Sequence, residues 1–217
     1  MEWTLLAGLE PAEREAVLAC GRRRHYRRHE IVWHEGDPGD TLHLVRSGRL
    51  AVRVTTPGGD RATLAVVGPG DAVGELALLN RPHRRTATLE ALEDVETLAL
   101  GQQDFHDLRA RHPAVDDMLL ELLAQRVERL GQQLLDSRYA SANRRVARAL
   151  ADLTRAYGAD GPVVIPLTQD EIADLAGTTR PTLNQALQSF AAAGLVVLSR
   201  GRIEVRDVAG LRRRAGA

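Results

Sequence analysis

Gly74-Glu75-Leu76-Ala77-Leu78-Leu79-Asn80-Arg81-Pro82-His83-Arg84-Arg85-Thr86-Ala87-Thr88 puts a glycine, a carboxylate, an arginine and a hydroxyl into one short stretch between apolar runs. Residues 74–82 read as a brief helix that interrupts a pattern of strands, with its N-terminus at Gly74–Glu75. Gly74 and the first backbone N–H groups of such a helix form a small anion nest. Glu75 offers an acceptor to a hydroxyl. Arg85 offers a rigid fork of donors to a phosphate, Arg84 adds positive potential and Thr86 a hydroxyl. The ribose 2′-hydroxyl and the singly charged cyclic phosphate of a cyclic nucleotide match this set. A second reading stays open: Glu75 and Arg85 form a mutual ion pair that only holds the short helix in place.

Around this segment the chain alternates in short strands, at 31–34, 42–46, 50–55, 62–67, 87–90 and 95–100. They are separated by Gly36-Asp37-Pro38-Gly39-Asp40, Ser47-Gly48, Pro57-Gly58-Gly59-Asp60 and Gly68-Pro69-Gly70-Asp71. Strands at spacings of about ten residues with such punctuation predict a β-barrel or jelly roll. Upstream, residues 3–20 read as an amphipathic helical segment with Leu5, Leu6, Leu9, Val17 and Leu18 as its apolar positions. The run Gly21-Arg22-Arg23-Arg24-His25-Tyr26-Arg27-Arg28-His29 reads as a solvated strand or loop, or as a contact with DNA or a protein partner.

Downstream, a short helix at 102–112 stops before Pro113, and a long one follows at 114–137. Leu120, Leu123, Val127, Leu130 and Leu134 recur at 3-4 spacing, the a/d seam of a parallel dimer helix; packing against the chain's own barrel is the other reading. Gly131 inside this helix costs about 1 kcal/mol relative to alanine, which points to close approach by a partner helix or a ligand. A hinge is expected near 137–143, then a helical stripe of Val146, Leu150 and Leu153, a loop Tyr157-Gly158-Ala159-Asp160-Gly161-Pro162 and a short strand at 163–166.

Thr168-Gln169-Asp170-Glu171 is a capping box. Ile172, Leu175 and Ala176 give the helix it opens a buried face, and Gly177 permits a sharp turn. Thr178 or Thr179 caps a second helix, with Pro181 in its first turn. Leu183, Leu187 and Phe190 point inward, which leaves Arg180, Thr182, Asn184, Gln185 and Gln188 outward. Arginine pairs with guanine O6/N7, and asparagine or glutamine with adenine N6/N7. Strands at 196–199 and 202–206, joined at Arg200-Gly201, form a wing. The alternative is a plain three-helix packing unit. The tail Leu211-Arg212-Arg213-Arg214 reads as solvated, a source of salt-dependent phosphate attraction.

The chain has 217 residues, 44% hydrophobic and 3% aromatic, with a formal charge of zero. Cores must therefore be built from Leu, Val and Ala, and charge must be judged locally. No lysine occurs; all 29 basic residues are arginine. Cys20 is the only cysteine, which excludes an internal disulfide and any cysteine-built zinc or iron–sulfur site within one chain. No signal-peptide pattern and no run of transmembrane length is seen, so a cytoplasmic setting with no membrane partner is expected. No metal-ligand spacing and no nucleophile–base set is present; Glu75 with His83 is the only nearby acid/base pair, so no catalytic residue is assigned and no enzyme is expected.

At these residues the chain resembles the cAMP receptor protein/FNR (Crp-Fnr) family of bacterial transcription regulators, over nearly its whole length. The most specific parts are Gly74-Glu75-Leu76 with Arg85-Thr86-Ala87, and Thr168, Gly177 and Arg180. The resemblance implies that Glu75 binds the ribose hydroxyl and that Arg85 and Thr86 bind the cyclic phosphate, with Gly74, Leu76, Ala77 and Ala87 completing the ligand set. It implies that Arg180 contacts a guanine of the half-site. Thr168, Gln169, Thr178, Thr179, Thr182, Asn184, Gln185 and Arg200 are the further candidate DNA contacts. The chain departs from the family pattern in places. Where cAMP-responsive members carry a Thr-Ser pair that contacts the adenine, this chain carries Leu130-Gly131, so base contacts are missing or come from Gln132 or Gln133. Pro181 and Gln185 replace a Glu and an Arg of the best-known member, so the half-site should differ from its TGTGA pattern. The cysteine cluster of oxygen sensors is absent, and no histidine spacing indicates haem.

The expected fold is α+β: an N-terminal cyclic-nucleotide-binding β-roll (jelly roll) at 1–113, a long dimerisation helix and hinge at 114–138, and a C-terminal winged helix-turn-helix at 139–217. The expected function is a homodimeric, sequence-specific DNA-binding transcription regulator, an activator gated by cAMP or cGMP, with no metal, iron–sulfur cluster or haem. Its expected partners are a palindromic double-stranded operator, a second copy of itself and RNA polymerase. The alternative is a constitutive regulator with a degenerate effector pocket, controlled by abundance.

Overall fold

The computed structural model describes residues 3, 6–56, 58–59, 61–158 and 162–216. Leu5, two residues of the expected turn (Pro57 and Asp60) and three of the expected loop (Ala159, Asp160 and Gly161) lie outside the described residues. The chain divides into two compact units, Met1–Val54 with Val66–Arg129, and Thr55–Ala65 with Leu130–Ala217.

The first unit opens with α1 (Pro11–Cys20). This helix begins later than residue 3 because Pro11 takes its first position, where a missing N–H is harmless. Leu6 and Leu9 are still buried in the same core as Val17, but they reach it from the turn before the helix. The strands are β1 (Arg22–Tyr26), β2 (Ile31–Trp33), β3 (Thr41–Ser47), β4 (Leu50–Thr55), β5 (Arg61–Val67), β6 (Ala72–Val73), β7 (Thr88–Ala91) and β8 (Val95–Gly101). They form two four-stranded sheets, ordered β1-β8-β3-β6 and β2-β7-β4-β5. The arginine run is a solvated strand: β1 pairs antiparallel with β8 from Arg22↔Ala99 to Tyr26↔Val95, and its residues 22–25 are exposed.

Period-two alternation divides the core. Leu42 and Leu44 of β3 and Leu98 and Leu100 of β8 join Trp3, Leu6, Phe105, Leu108, Val115 and Leu119 on one face. Val45 and Val95, at odd positions, join Leu50, Val67, Val73, Leu89 and Ala91 on the other; one residue of register slip would exchange the two sets. The helix α2 (Glu75–Leu79) lies between β6 and β7, and α3 (Gln102–Arg111) leads into α4 (Ala114–Tyr139).

The second unit contains residues 55–65, and so most of β5, the C-terminal part of α4, then α5 (Ala142–Tyr157), β9 (Val163–Ile165), α6 (Gln169–Leu175), α7 (Arg180–Ala192), β10 (Val196–Ser199), β11 (Arg202–Val205) and α8 (Val208–Ala215). The hinge is tighter than expected. α4 continues to Tyr139, and Ser141 caps α5 by accepting from the Arg144 N–H. Asp136 is buried and accepts from Arg148 at 2.9 Å and from Gln132 at 3.2 Å. Arg145 donates to the Ala140, Ala176 and Gly177 carbonyls, tying the hinge to the turn after α6. The tail differs from the solvated reading. Leu211 and Ala215 are fully buried in α8, and Arg144 and Arg148 donate to the Ala215 carbonyl at 3.0 and 2.9 Å. Apolar residues at 211 and 215 make a helical stripe, which the arginines at 212–214 obscure in the sequence; those three remain exposed.

Candidate ligand pocket and DNA-reading face

β6 ends at Gly74, whose φ of +98° is a left-handed conformation suited to glycine. A side chain there would also meet the Arg85 guanidinium, the Thr41 carbonyl and Trp33. This turn starts α2 and carries Glu75 inward, where it is 1% exposed. Ala77 and Leu78 anchor the helix in the core, Ala87 is buried, Leu76 is half-buried and Thr86 is exposed.

Glu75 and Arg85 have separate partners and are not paired with each other. Glu75 Oε1 accepts from Arg126 Nη1 of α4, and Arg126 Nη2 donates to the Ala72 carbonyl at 3.2 Å. Arg85 Nη1 donates to the Thr41 carbonyl at 2.8 Å and to the Gly74 carbonyl at 3.4 Å, and Nη2 donates to Thr41 Oγ1 at 2.7 Å. Its guanidinium carbon lies 3.8 Å from the Trp33 ring centre, a cation–π stack. Burial lowers the Arg85 pKa, opposed by the charges of Asp40, Asp37 and Glu75. Among the described residues, one buried atom of each has no hydrogen-bond partner, Glu75 Oε2 and Arg85 Nε. An unmet buried acceptor and donor each cost about 1–3 kcal/mol. One hydroxyl donor and one anionic acceptor would satisfy them, and a cyclic nucleotide supplies both, so the residues present fit the group.

Thr41, Trp33 and Arg126 were not among the sequence candidates. Thr41 and Trp33 reach Arg85 through the sheets, across separations that leave no local spacing. Arg126 sits between seam leucines and reads as an ordinary solvated helix residue. His83 donates to the Ala77 carbonyl at 2.9 Å and not to Glu75. Among the described residues no group of three or more His, Cys, Asp or Glu is placed to hold a metal ion, and no helix is long and apolar enough to cross a membrane.

Behind Arg85, His43 is 4% exposed and bonds Thr97 Oγ1 at 2.9 Å. Burial, then the nearby Arg85 charge, lower its pKa to about 4. The folded state therefore holds His43 neutral. Its contribution is complete above the unfolded value of about 6.5 and is lost as pH falls towards about 4. Denaturant melts should show stability dropping over that window by on the order of 3 kcal/mol, from about 1.4 kcal/mol per pKa unit. In a His43→Gln chain the drop should shrink.

In the second unit, the Thr168 hydroxyl accepts from the Glu171 N–H while Glu171 accepts from the Thr168 N–H at 2.7 Å, the predicted box. Gly177 turns at φ +57°. Thr179 takes the N-cap position of α7, but its hydroxyl bonds the Thr182 hydroxyl at 2.9 Å and no backbone N–H. Leu183, Ala186, Leu187 and Phe190 are buried, and Arg180, Asn184, Gln185 and Gln188 are exposed on the other face. Thr168 is exposed, while Gln169, Thr178 and Thr182 are half-buried. Arg180 lies 3.4 Å from Asp170, both largely exposed, so the contact yields readily to another anion or base. β10 and β11 pair from Val196↔Val205 to Ser199↔Arg202, and Arg200 stands exposed on the wing's tip beside Gly201, at φ +72°. β9 adds a third strand that the wing reading did not include.

Along α4, Leu120, Val127, Leu130 and Leu134 are 65, 69, 54 and 56% exposed, and Leu123 is half-buried. Leu120 and Val127, in the same unit as most of the sheets, are therefore not packed on the chain's own barrel. A methyl group at Gly131 would meet nothing within 4 Å among the described residues, so no contact among them explains that glycine. Gln132 is engaged by Asp136, and Gln133 donates to the Leu64 carbonyl at 3.5 Å.

Comparison with known proteins agrees with this arrangement. The family described as "Cyclic nucleotide-binding domain" matches residues 23–112, and the one described as "Crp-like helix-turn-helix domain" matches residues 144–214. The chain is 38% identical over 205 residues to the cyclic AMP receptor protein of Thermus thermophilus, covering 94% of this chain and 93% of that one. It is 31% identical over 215 residues to the CRP-like cAMP-activated global transcriptional regulator of Mycobacterium tuberculosis, covering 97% and 96%. The crystal structure of the Thermus thermophilus catabolite activator protein aligns over 98% of each chain, with a TM-score of 0.57 and 37% identity. The chain belongs to the cAMP receptor protein/FNR family of transcription regulators. It is a regulator with a cyclic-nucleotide-binding domain and a helix-turn-helix, and not an enzyme.

Proposed function

We propose that this regulator is a cytoplasmic homodimer that binds a palindromic operator and is gated by a cyclic nucleotide, cAMP or cGMP, held in the β-roll by Gly74, Glu75, Leu76, Ala77, Arg85, Thr86 and Ala87. The observation that carries the gating is the pairing of Glu75 with Arg126. The carboxylate at the start of α2 is bonded to an arginine on the helix that also carries the exposed seam. A ribose hydroxyl donated to Glu75 Oε2 shares the carboxylate with Arg126, so occupancy acts directly on α4. A nucleotide shifts the balance of two dimer arrangements only by its differential affinity for them. In the favoured arrangement the two copies of α7 match successive major grooves, about 34 Å apart. The similarity to relatives named for cyclic AMP supports the nucleotide class.

Seam residues Leu120, Leu123, Val127, Leu130 and Leu134 join the two chains in this reading. DNA is contacted by Thr168, Gln169, Thr178, Thr179, Arg180, Thr182, Asn184, Gln185 and Arg200. Activation through RNA polymerase bound beside the operator is the regulatory sign we assign. Leu130-Gly131 offers the base no hydroxyl, so discrimination between adenine and guanine rests on other groups. Titration calorimetry with cAMP and with cGMP tests the pocket: saturable heat with either supports it. No heat with either, from folded and unloaded protein, moves the function to the constitutive regulator controlled by abundance.

The DNA half has its own test. Arg180→Ala should cost about 1–3 kcal/mol of operator affinity, a factor of roughly 5 to 150, and should relax selectivity at one base pair of each half-site. Binding to a panel of single-base operator variants reads this out. A loss uniform over all sequences would make Arg180 a phosphate contact instead.

A further inference from the structure

Arg85 is held on more than its hydrogen-bonded side. Its guanidinium stacks at 3.8 Å on Trp33, and the indole is itself fixed, because Trp33 Nε1 donates to the Ala87 carbonyl at 3.0 Å. Trp33 also stands edge-on to the His43 ring, with centres 5.2 Å apart, which stops the ring from swinging away. From β3, in the other sheet, Thr41 accepts from both terminal nitrogens of Arg85. Nη2 also lies 4.0 Å from the exposed Asp40, whereas Nε is buried and has no hydrogen-bond partner among the described residues. A free guanidinium on a flexible stem turns among many orientations. One clamped between Thr41 and an indole face has a single plane, with its remaining donor fixed in direction.

We propose that Trp33 is the positioning residue for the phosphate-binding arginine: its indole face sets the plane of the Arg85 guanidinium so that Nε is presented to the cyclic phosphate. The inference rests on the nucleotide reading above and adds a residue to it. Two consequences follow from the geometry. The π face of the ring carries the effect, while its N–H only anchors the ring, so phenylalanine should substitute largely and leucine should not. Because the indole lies against the charge that the phosphate neutralises, its emission should change on binding.

The experiment uses the full-length chain. Calorimetric affinities for cAMP and cGMP are measured for the wild type, Trp33→Phe and Trp33→Leu, with a thermal melt of each. In parallel, tryptophan emission is titrated with the same nucleotides in a Trp3→Phe chain, in which Trp33 is the sole tryptophan. We expect Trp33→Leu to weaken binding by about 3- to 30-fold, the range of a cation–π contact from exposed to desolvated. Trp33→Phe should recover most of that loss, and the emission should change saturably with the calorimetric affinity. Should Trp33→Leu not fold, the emission titration and Trp33→Phe decide. A wild type that binds neither nucleotide overturns the pocket reading and this inference with it. A wild type that binds, with unchanged affinity in folded Trp33→Leu or with silent Trp33 emission, overturns the role of Trp33 alone. Equal weakening in the phenylalanine and leucine chains also overturns it, since the ring face would then not matter.

Discussion

Arg85→Ala should lower cyclic-nucleotide affinity by roughly 30-fold or more while leaving the chain folded. Removing one member of a buried, hydrogen-bonded charge contact costs about 2–5 kcal/mol, and each 1.4 kcal/mol is a factor of ten. Arg85 is 4% exposed, so water replaces it poorly. The fold should survive because Arg85 carries no ion pair with Glu75; its protein partners are Thr41, the Gly74 carbonyl, Trp33 and, at 4.0 Å, the largely exposed Asp40. Their loss is offset in part by no longer having to bury a cation. Arg85→Lys, with the charge but not the fork, should bind at an intermediate level. Calorimetry beside circular dichroism separates the outcomes: lost binding in a folded chain supports a ligand contact. Loss of fold would make the arginine a structural prop.

Val127→Glu with Leu134→Glu should convert the protein to monomers and lower operator affinity by about 1,000-fold or more, towards non-specific binding. Both positions are more than half exposed in the single chain, so the carboxylates cost the isolated chain little. In a seam they face apolar neighbours and each other, and a desolvated like-charge contact is strongly unfavourable. The seam is the natural target because Leu120, Val127, Leu130, Leu134, Leu135 and Tyr139 of α4 are all large, apolar and exposed, a concentration that a solvated helix does not need. Sedimentation gives the mass and anisotropy the affinity. A doubly substituted protein that stays dimeric and binds the operator unchanged would place the dimer contact elsewhere.

The strands, the two long helical segments and the winged reader were legible in the sequence because each rests on local spacing. Period two set Leu42 and Leu44 against Val45, period 3.6 set Leu183, Leu187 and Phe190 inward, and Thr168 with Glu171 marked a helix start. Glu75 and Arg85 were legible for the same reason: they share one short segment. Their partners were not. Thr41 and Trp33, on β3 and β2, are far from Arg85 in sequence and meet it only once the sheets are assembled, and Arg126 reaches Glu75 from a helix 51 residues on, so the only local partner that the alternative, structural reading could offer Glu75 was Arg85. The helical tail was hidden by its three arginines, although Leu211 and Ala215 carry a four-residue spacing. The start of α1 was set by Pro11, a local stop signal that outweighed the apolar residues before it.

Gating is tested most directly by operator affinity with and without nucleotide. An operator duplex recovered by selection from random sequence would be titrated with the purified protein, free of nucleotide and again at saturating cAMP and cGMP. Tighter binding with one nucleotide, lost in Arg85→Ala, is the predicted result. The same affinity in all three conditions, from protein that binds the nucleotide in calorimetry, would contradict gating and leave a DNA-binding regulator whose pocket does not speak to its reading helices.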